Sequence, residues 1–234
     1  MPSGYMKCPY DPSVATWAQA ARDVASKLDT TDRRHGHTWF VGVDALPNDP
    51  NGAISGVEMP FARMSAHWHR AQVSIIYPGY PKQDPIESDA AHRFRIHRAA
   101  AHMDGLLPEG PEKRRHLRER HGFILGLPLN NASDSPLVVW EGSHHIMGAA
   151  FARAFDGLSP DQFGDRDVTD IYQSARREVF EKCEQVELIT RPGEAILLHR
   201  HLIHGVAPWG EGQTARMVAY FRPLIAPRLW LSGR

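Results

Sequence analysis

The chain has 234 residues, 42% apolar and 23% charged, which are the proportions of a folded globular protein with enough chain to bury a substantial core. Lysine plus arginine and aspartate plus glutamate number 27 each, so the formal charge is zero; that excludes the basic excess of a general nucleic-acid binder and favours self-association, making a homodimer an expectation. There is no run of about 20 apolar residues for a bilayer, no apolar signal core in Met1–Cys8, and no CxxC spacing between Cys8 and Cys183, so a cytoplasmic protein without membrane span, disulfide framework or thiolate-bound zinc is expected.

In chain order, Val14, Trp17, Ala18, Ala21, Val24, Ala25 and Leu28 make one apolar stripe at helical spacing, with Asp11 or Ser13 as cap and Pro12 at the start. This predicts a helix over about 14–28 packed on the outside of a sheet. Thr38–Val43 and Ala71–Tyr77 read as strands, separated by the turn-rich stretch Leu46–Gly52. Pro81–Asp89 reads as a polar loop, and Phe94–Ala101 leads into a strand end at His102-Met103-Asp104. Pro108–Arg120 mixes Lys113, Arg114, Arg115, Arg118 and Arg120 with Glu109, Glu112 and Glu119, and reads as a solvated excursion.

Phe123–Leu129 and Pro136–Trp140 are buried-strand candidates. A helical insert over about 160–183 starts at Ser159-Pro160 and carries Val168, Ile171, Tyr172, Ala175, Val179 and Cys183 on one face. Gln185–Thr190, a strand from Ala195 through Leu198 towards His204, and Ala215–Phe221 follow. Many short strands with helices at the front and in one insertion predict a mainly β sandwich or jelly roll with helical decoration, in one domain spanning 1–234.

On a strand His102 and Asp104 face one way and Met103 the other, so both can reach one metal ion. With a later histidine they would make a two-histidine, one-carboxylate set that holds Fe(II) on one face and leaves three positions open. His204-Gly205 supplies that histidine, ten residues after Glu194; His201 is the reserve. Arg216 stands in an otherwise apolar strand, where a buried arginine needs a partner. Two partners stay open: an internal Asp or Glu, or the free carboxylate of a co-substrate gripped in bidentate fashion.

Four segments resemble the phytanoyl-CoA dioxygenase-like branch of the Fe(II)/2-oxoglutarate-dependent oxygenases. They are Ala101-His102-Met103-Asp104-Gly105, the run Ser135 to His144, Pro192-Gly193-Glu194, and Leu202-Ile203-His204-Gly205 with Arg216. The match runs over about 70–222. The resemblance implies a double-stranded β-helix, a jelly roll of cupin type with flanking helices. It implies His102, Asp104 and His204 as metal ligands and Arg216 as partner of the distal 2-oxoglutarate carboxylate. It suggests Thr214 as an added hydroxyl on the same strand face and Tyr77 as a further lining residue. The implied cofactors are Fe(II), 2-oxoglutarate and O2, and the implied reaction is hydroxylation of a small molecule, with 2-oxoglutarate decarboxylated to succinate. Related halogenases carry a small residue where Asp104 stands, so halogenation is disfavoured.

Two other readings remain: a cupin-like zinc enzyme or metal-binding protein without 2-oxoglutarate, in which Arg216 is structural, and a non-catalytic binding member of the fold. Arg222, six residues after Arg216, repeats an arginine pair seen in nucleic-acid dealkylases of the superfamily, but closer to the distal histidine; it reads as structural or substrate-contacting. His144-His145 read as loop-bonded or supporting residues, and a metal role for His67 and His69 is remote. Trp140, Trp209 and Trp230 read as core packing.

Overall fold

Asp11 starts the first helix as the sequence predicts: its carboxylate accepts the Ser13 N–H at 2.7 Å, and Pro12 takes the first helical position. The computed structural model describes residues 1–231. The elements run β1 (Tyr5–Cys8), α1 (Pro12–Ala25), β2 (Arg33–Arg34), β3 (Trp39–Gly42), β4 (Gln72–Ile76), α2 (Asp89–His97), β5 (Leu106–Glu109), β6 (Arg114–Leu117), β7 (Phe123–Pro128), β8 (Leu137–Trp140), α3 (Ser143–Ala154), α4 (Thr169–Lys182), β9 (Gln185–Leu188), β10 (Ala195–His199), β11 (His204–Val206), β12 (Arg216–Phe221) and α5 (Pro227–Leu231). Among the described residues, no helix is long and apolar enough to cross a membrane.

The strands form two facing antiparallel sheets. One has the order β1-β10-β7-β12-β4-β3-β2, the other β11-β8-β9, extended by a bridge from His204 to His102. From β4 onward the chain passes repeatedly between the sheets, which is the double-stranded β-helix the resemblance implied. The two-residue period sorts the side chains. Val73, Ile75, Leu125, Leu127, Leu197, Ala219 and Phe221 face outward and pack under Trp17, Ala18 and Ala21 of α1. Ile124, Ile196, Leu198, Val218 and Tyr220 face inward against Leu137, Val139 and Leu188 of the smaller sheet. A third core gathers α3, α4 and α5 around Trp140, Phe151, Tyr172 and Trp230.

Several expectations change. The strand from Ala195 does not run on to His204. It ends at His199, turns at Arg200-His201, and the chain re-enters the other sheet at β11. The charged stretch 108–120 contains most of the β5–β6 hairpin, held by Arg118 on Glu109 and by Arg114 on Asp167 at 2.5 Å. Residues 89–97, expected as loop and lead-in, form α2, capped by Ser88. The insert is two pieces, a 3-10 turn over Pro160–Gly164 and then α4.

Candidate metal centre

His102 and His204 reach one point because their backbones pair. The His102 N–H donates to the His204 carbonyl at 2.8 Å, and the His204 N–H donates back at 2.9 Å. An antiparallel pair places both side chains on one face; the rings lie 4.7 Å apart. Gly205 permits this approach, since a Cβ there would collide with the carbonyl oxygen of Ala99. Ala99 and Ala100 sit at φ 48° and 52°, strained for residues with a side chain, and only Ala101 separates them from His102. Their carbonyls are both used: Ala99 accepts the Val206 N–H at 2.9 Å, and Ala100 lies 2.9 Å from His102 Nδ1.

His204 repeats the arrangement, with Nδ1 3.0 Å from the Leu202 carbonyl. In both rings a backbone carbonyl therefore selects the Nδ1–H tautomer and leaves the Nε2 lone pair free. The two Nε2 atoms lie 3.1 Å (His102) and 3.7 Å (His204) from Asp104 Oδ1. Among the described residues this is the one group of three or more such side chains whose ligand atoms all lie within 4.8 Å of one another. Burial lowers the pKa of His204 to about 4, so it is neutral at pH 7. Burial alone would raise the pKa of Asp104, but Arg222 and the two histidines outweigh it and hold the carboxyl well below the usual range. One carboxylate and two imidazoles on one face fit a divalent ion such as Fe(II).

Arg222 gains a definite place. Its Nε donates to Asp104 Oδ2 at 2.5 Å and its Nη1 to Gln72 Oε1 at 3.1 Å, and its backbone N–H donates to His69 Nε2 at 2.7 Å. One oxygen of Asp104 is thus engaged by the guanidinium and the other is turned to the histidines. Arg222→Ala is expected to weaken metal affinity about 10- to 100-fold, with Arg222→Lys in between, as measured by equilibrium dialysis against Co(II).

Arg216 lies at the opposite end of β12 on the inner face. It is buried, its Nη2 is 3.4 Å from the Tyr220 hydroxyl, and its Nη1 has no hydrogen-bond partner. Among the described residues no Asp or Glu pairs with it, so the internal salt bridge is absent. It lines a narrow cavity between the sheets with Ile124, Leu198, Val218, Tyr220 and Thr190. Thr190, just beyond β9, lines the same cavity and was not singled out by sequence reasoning.

Two expected lining residues lie elsewhere. Thr214 is exposed in the bend before β12, which begins only at Arg216, so it shares no strand face with that arginine. Tyr77 falls on the outward-facing parity of β4: its hydroxyl donates to Thr30 at 3.2 Å, and Arg33 lies over its ring at 3.8 Å. His201 packs against Trp230 and Phe151 rather than at the metal centre, which leaves His204 as the distal member. His144, in the first turn of α3, has its ring against those of His145 and His199 at tilted angles. Trp68 is buried in the core, and Trp140 and Trp230 are buried as expected.

No protein-family model matches the sequence, and no curated protein matches it. Solved structures similar to it include SnoK, a non-heme alpha ketoglutarate dependent carbocyclase from nogalamycin biosynthesis (16% identity, TM-score 0.48, 94% of this chain and 80% of that one). Another is EctD from S. alaskensis with bound Fe (17%, 0.46, 97% and 76%). A third is HygX from Streptomyces hygroscopicus, with nickel, 2-oxoglutarate and hygromycin B bound (14%, 0.45, 94% and 82%).

Proposed function

We propose that this protein is an Fe(II)- and 2-oxoglutarate-dependent dioxygenase that hydroxylates a small molecule. The observation that carries the reading is a pairing of two features. Two histidine Nε2 atoms and one carboxylate oxygen converge on a point, and a buried arginine with an unpartnered Nη1 lines a cavity inside the same barrel. His102, Asp104 and His204 would hold the metal. Arg216 would grip the distal carboxylate of the oxo acid, with the Tyr220 and Thr190 hydroxyls beside it.

When bound, iron(II) with 2-oxoglutarate and O2 supplies the oxidising power for the substrate C–H bond, with succinate and carbon dioxide as the oxo acid's products. The protein's share is positional. The carbonyls of Ala100 and Leu202 fix the two imidazoles, Arg222 fixes the carboxylate, and the apolar inner faces of the sheets exclude water from the cavity. Asp104, held ionised, offsets part of the charge of the metal. A zinc protein without an oxo acid would leave the buried Arg216 guanidinium uncompensated, which counts against that reading.

The test is an anaerobic titration of Fe(II)-loaded protein with 2-oxoglutarate, following the visible metal-to-ligand charge-transfer band. The wild type is expected to show the band, His201→Ala to keep it, and His204→Ala to lose it together with the metal. Absence of the band from protein shown to hold Fe(II) would rule out 2-oxoglutarate.

A further inference from the structure

A second cluster of metal-ligating side chains lies away from the first, where the turn at His35 meets the segment leading into α2. Glu87 is 9% exposed, and its Oε1 accepts the Arg95 Nε at 3.1 Å and Nη2 at 3.0 Å. Its Oε2 is buried and makes no hydrogen bond. Two imidazole nitrogens flank that oxygen, His92 Nδ1 at 3.4 Å and His35 Nδ1 at 3.9 Å, and both are also buried without a hydrogen-bond partner. The arrangement repeats the first centre. There Arg222 holds one oxygen of Asp104 and two imidazoles face the other; here Arg95, His92 and His35 stand in the same relation to Glu87.

Three buried, unsatisfied polar atoms around one point need an explanation, because a buried polar group left unpaired is destabilising. A lone pair on either imidazole nitrogen facing a carboxylate oxygen is repulsive. His35 is held neutral, chiefly by burial, with a pKa of about 4, so one of its two ring nitrogens carries a lone pair. A divalent cation would satisfy all three atoms together. The His35 turn is also built at a conformational cost. His35 has φ 54°, and Asp84 holds the turn by accepting the N–H groups of His35 at 2.8 Å and Gly36 at 2.7 Å. The ring is further fixed by stacking on Trp39 at 5.6 Å.

We propose that His35, Glu87 and His92 form a second divalent-cation site of the zinc type, with a structural role: it ties the His35 turn to the start of α2. Two imidazoles, one carboxylate and a water make a four-coordinate zinc shell. The three ligand atoms stand wider apart than in the first centre, whose atoms all lie within 4.8 Å of one another. Binding at about 2.0–2.2 Å therefore requires the segment that carries Glu87 and His92 to close on the fixed His35 ring. His92 belongs to α2, a charged helix with no fully buried residue, so that closure disturbs little packing. Asp84, 3.5 Å from His35 Nδ1, adds negative charge against Arg95 and the more distant Arg34. This site does not depend on the function proposed for the first.

The test uses the full chain with His102→Ala and His204→Ala, so that the first centre is lost. Zinc is titrated by calorimetry and bound metal is counted after dialysis. One zinc per chain is expected to remain, with a rise in Tm on zinc addition. Both effects are expected to vanish on adding His92→Ala, a partly buried position on a helix with no fully buried residue, with the fold intact by circular dichroism, and on adding Glu87→Gln. The proposal is overturned if the folded double variant retains no zinc. It is equally overturned if the retained zinc survives His92→Ala, for instance because Cys8 or Cys183 holds it.

Discussion

Arg216→Ala is expected to raise the 2-oxoglutarate concentration for half-saturation about 100-fold while leaving Fe(II) affinity within about twofold. Removing one partner of a buried charge pair costs about 3–5 kcal/mol, and the lower end of that range is already worth about 100-fold in binding. The structure adds a second expectation of opposite sign. In the ligand-free protein Arg216 is buried with an unpartnered Nη1, so its charge destabilises the fold. Arg216→Met should therefore raise the Tm of the ligand-free protein even as oxo-acid binding disappears. A paired drop in both Tm and affinity would instead identify Arg216 as a structural residue. The measurements are the charge-transfer titration and thermal melts with and without 2-oxoglutarate.

The second large effect is acid lability. His144, His199 and His201 stand together beneath β1, with ring centroids 4.9 Å apart for the first pair and 5.2 Å for the second. Burial first, then neighbouring positive groups, lowers all three: His144 and His199 to about 4, and His201 well below its ordinary value. The charges facing them are Arg200, His145 and the chain's amino terminus. A histidine with a depressed pKa in the folded state binds its proton more readily when unfolded. Its contribution is complete above pH 6.5 and is lost as pH falls through about 4. Solvent screening of the partly buried His144 and His199 reduces each contribution, but three such groups act in the same direction on a typical 5–15 kcal/mol stability. Thermal melts at pH 7.5, 6 and 5 should show a steep fall in Tm, made shallower by His199→Asn. A Tm that does not change over that range would contradict the account.

Much of the fold is legible in the sequence because the inner and outer faces of the sheets follow simple alternation. Val73 and Ile75 separate from Ser74 and Ile76, and Ala219 and Phe221 from Val218 and Tyr220, without reference to any distant residue. The convergence of His102, Asp104 and His204 is likewise legible, since an alternating pair and a later histidine before glycine form a local signal at each end. Several features were not readable. The α3 helix lies behind the Gly142-Ser143 step, which reads as the end of a motif, although Met147, Ala150, Phe151 and Ala154 carry helical spacing. The β5–β6 hairpin is held by ion pairs such as Arg114 with Asp167, which a charged stretch alone does not reveal. The part played by Arg222 depends on a contact 118 residues distant. Tyr77 and Thr214 were placed by sequence neighbourhood, whereas strand parity and the start of β12 decide where they point.

Five residues of β12, Met217 to Phe221, separate Arg216, inside the barrel, from Arg222, beside Asp104, and both arginines fall on even positions with Val218 and Tyr220. The strand is thus a ruler about 20 Å long whose two end marks must share one face. Substitutions among its outward residues leave the ruler intact. One residue gained or lost between the arginines would turn one of them outward and change the distance between the marks. Among variants of this chain, β12 should therefore tolerate changes of side chain but not of length.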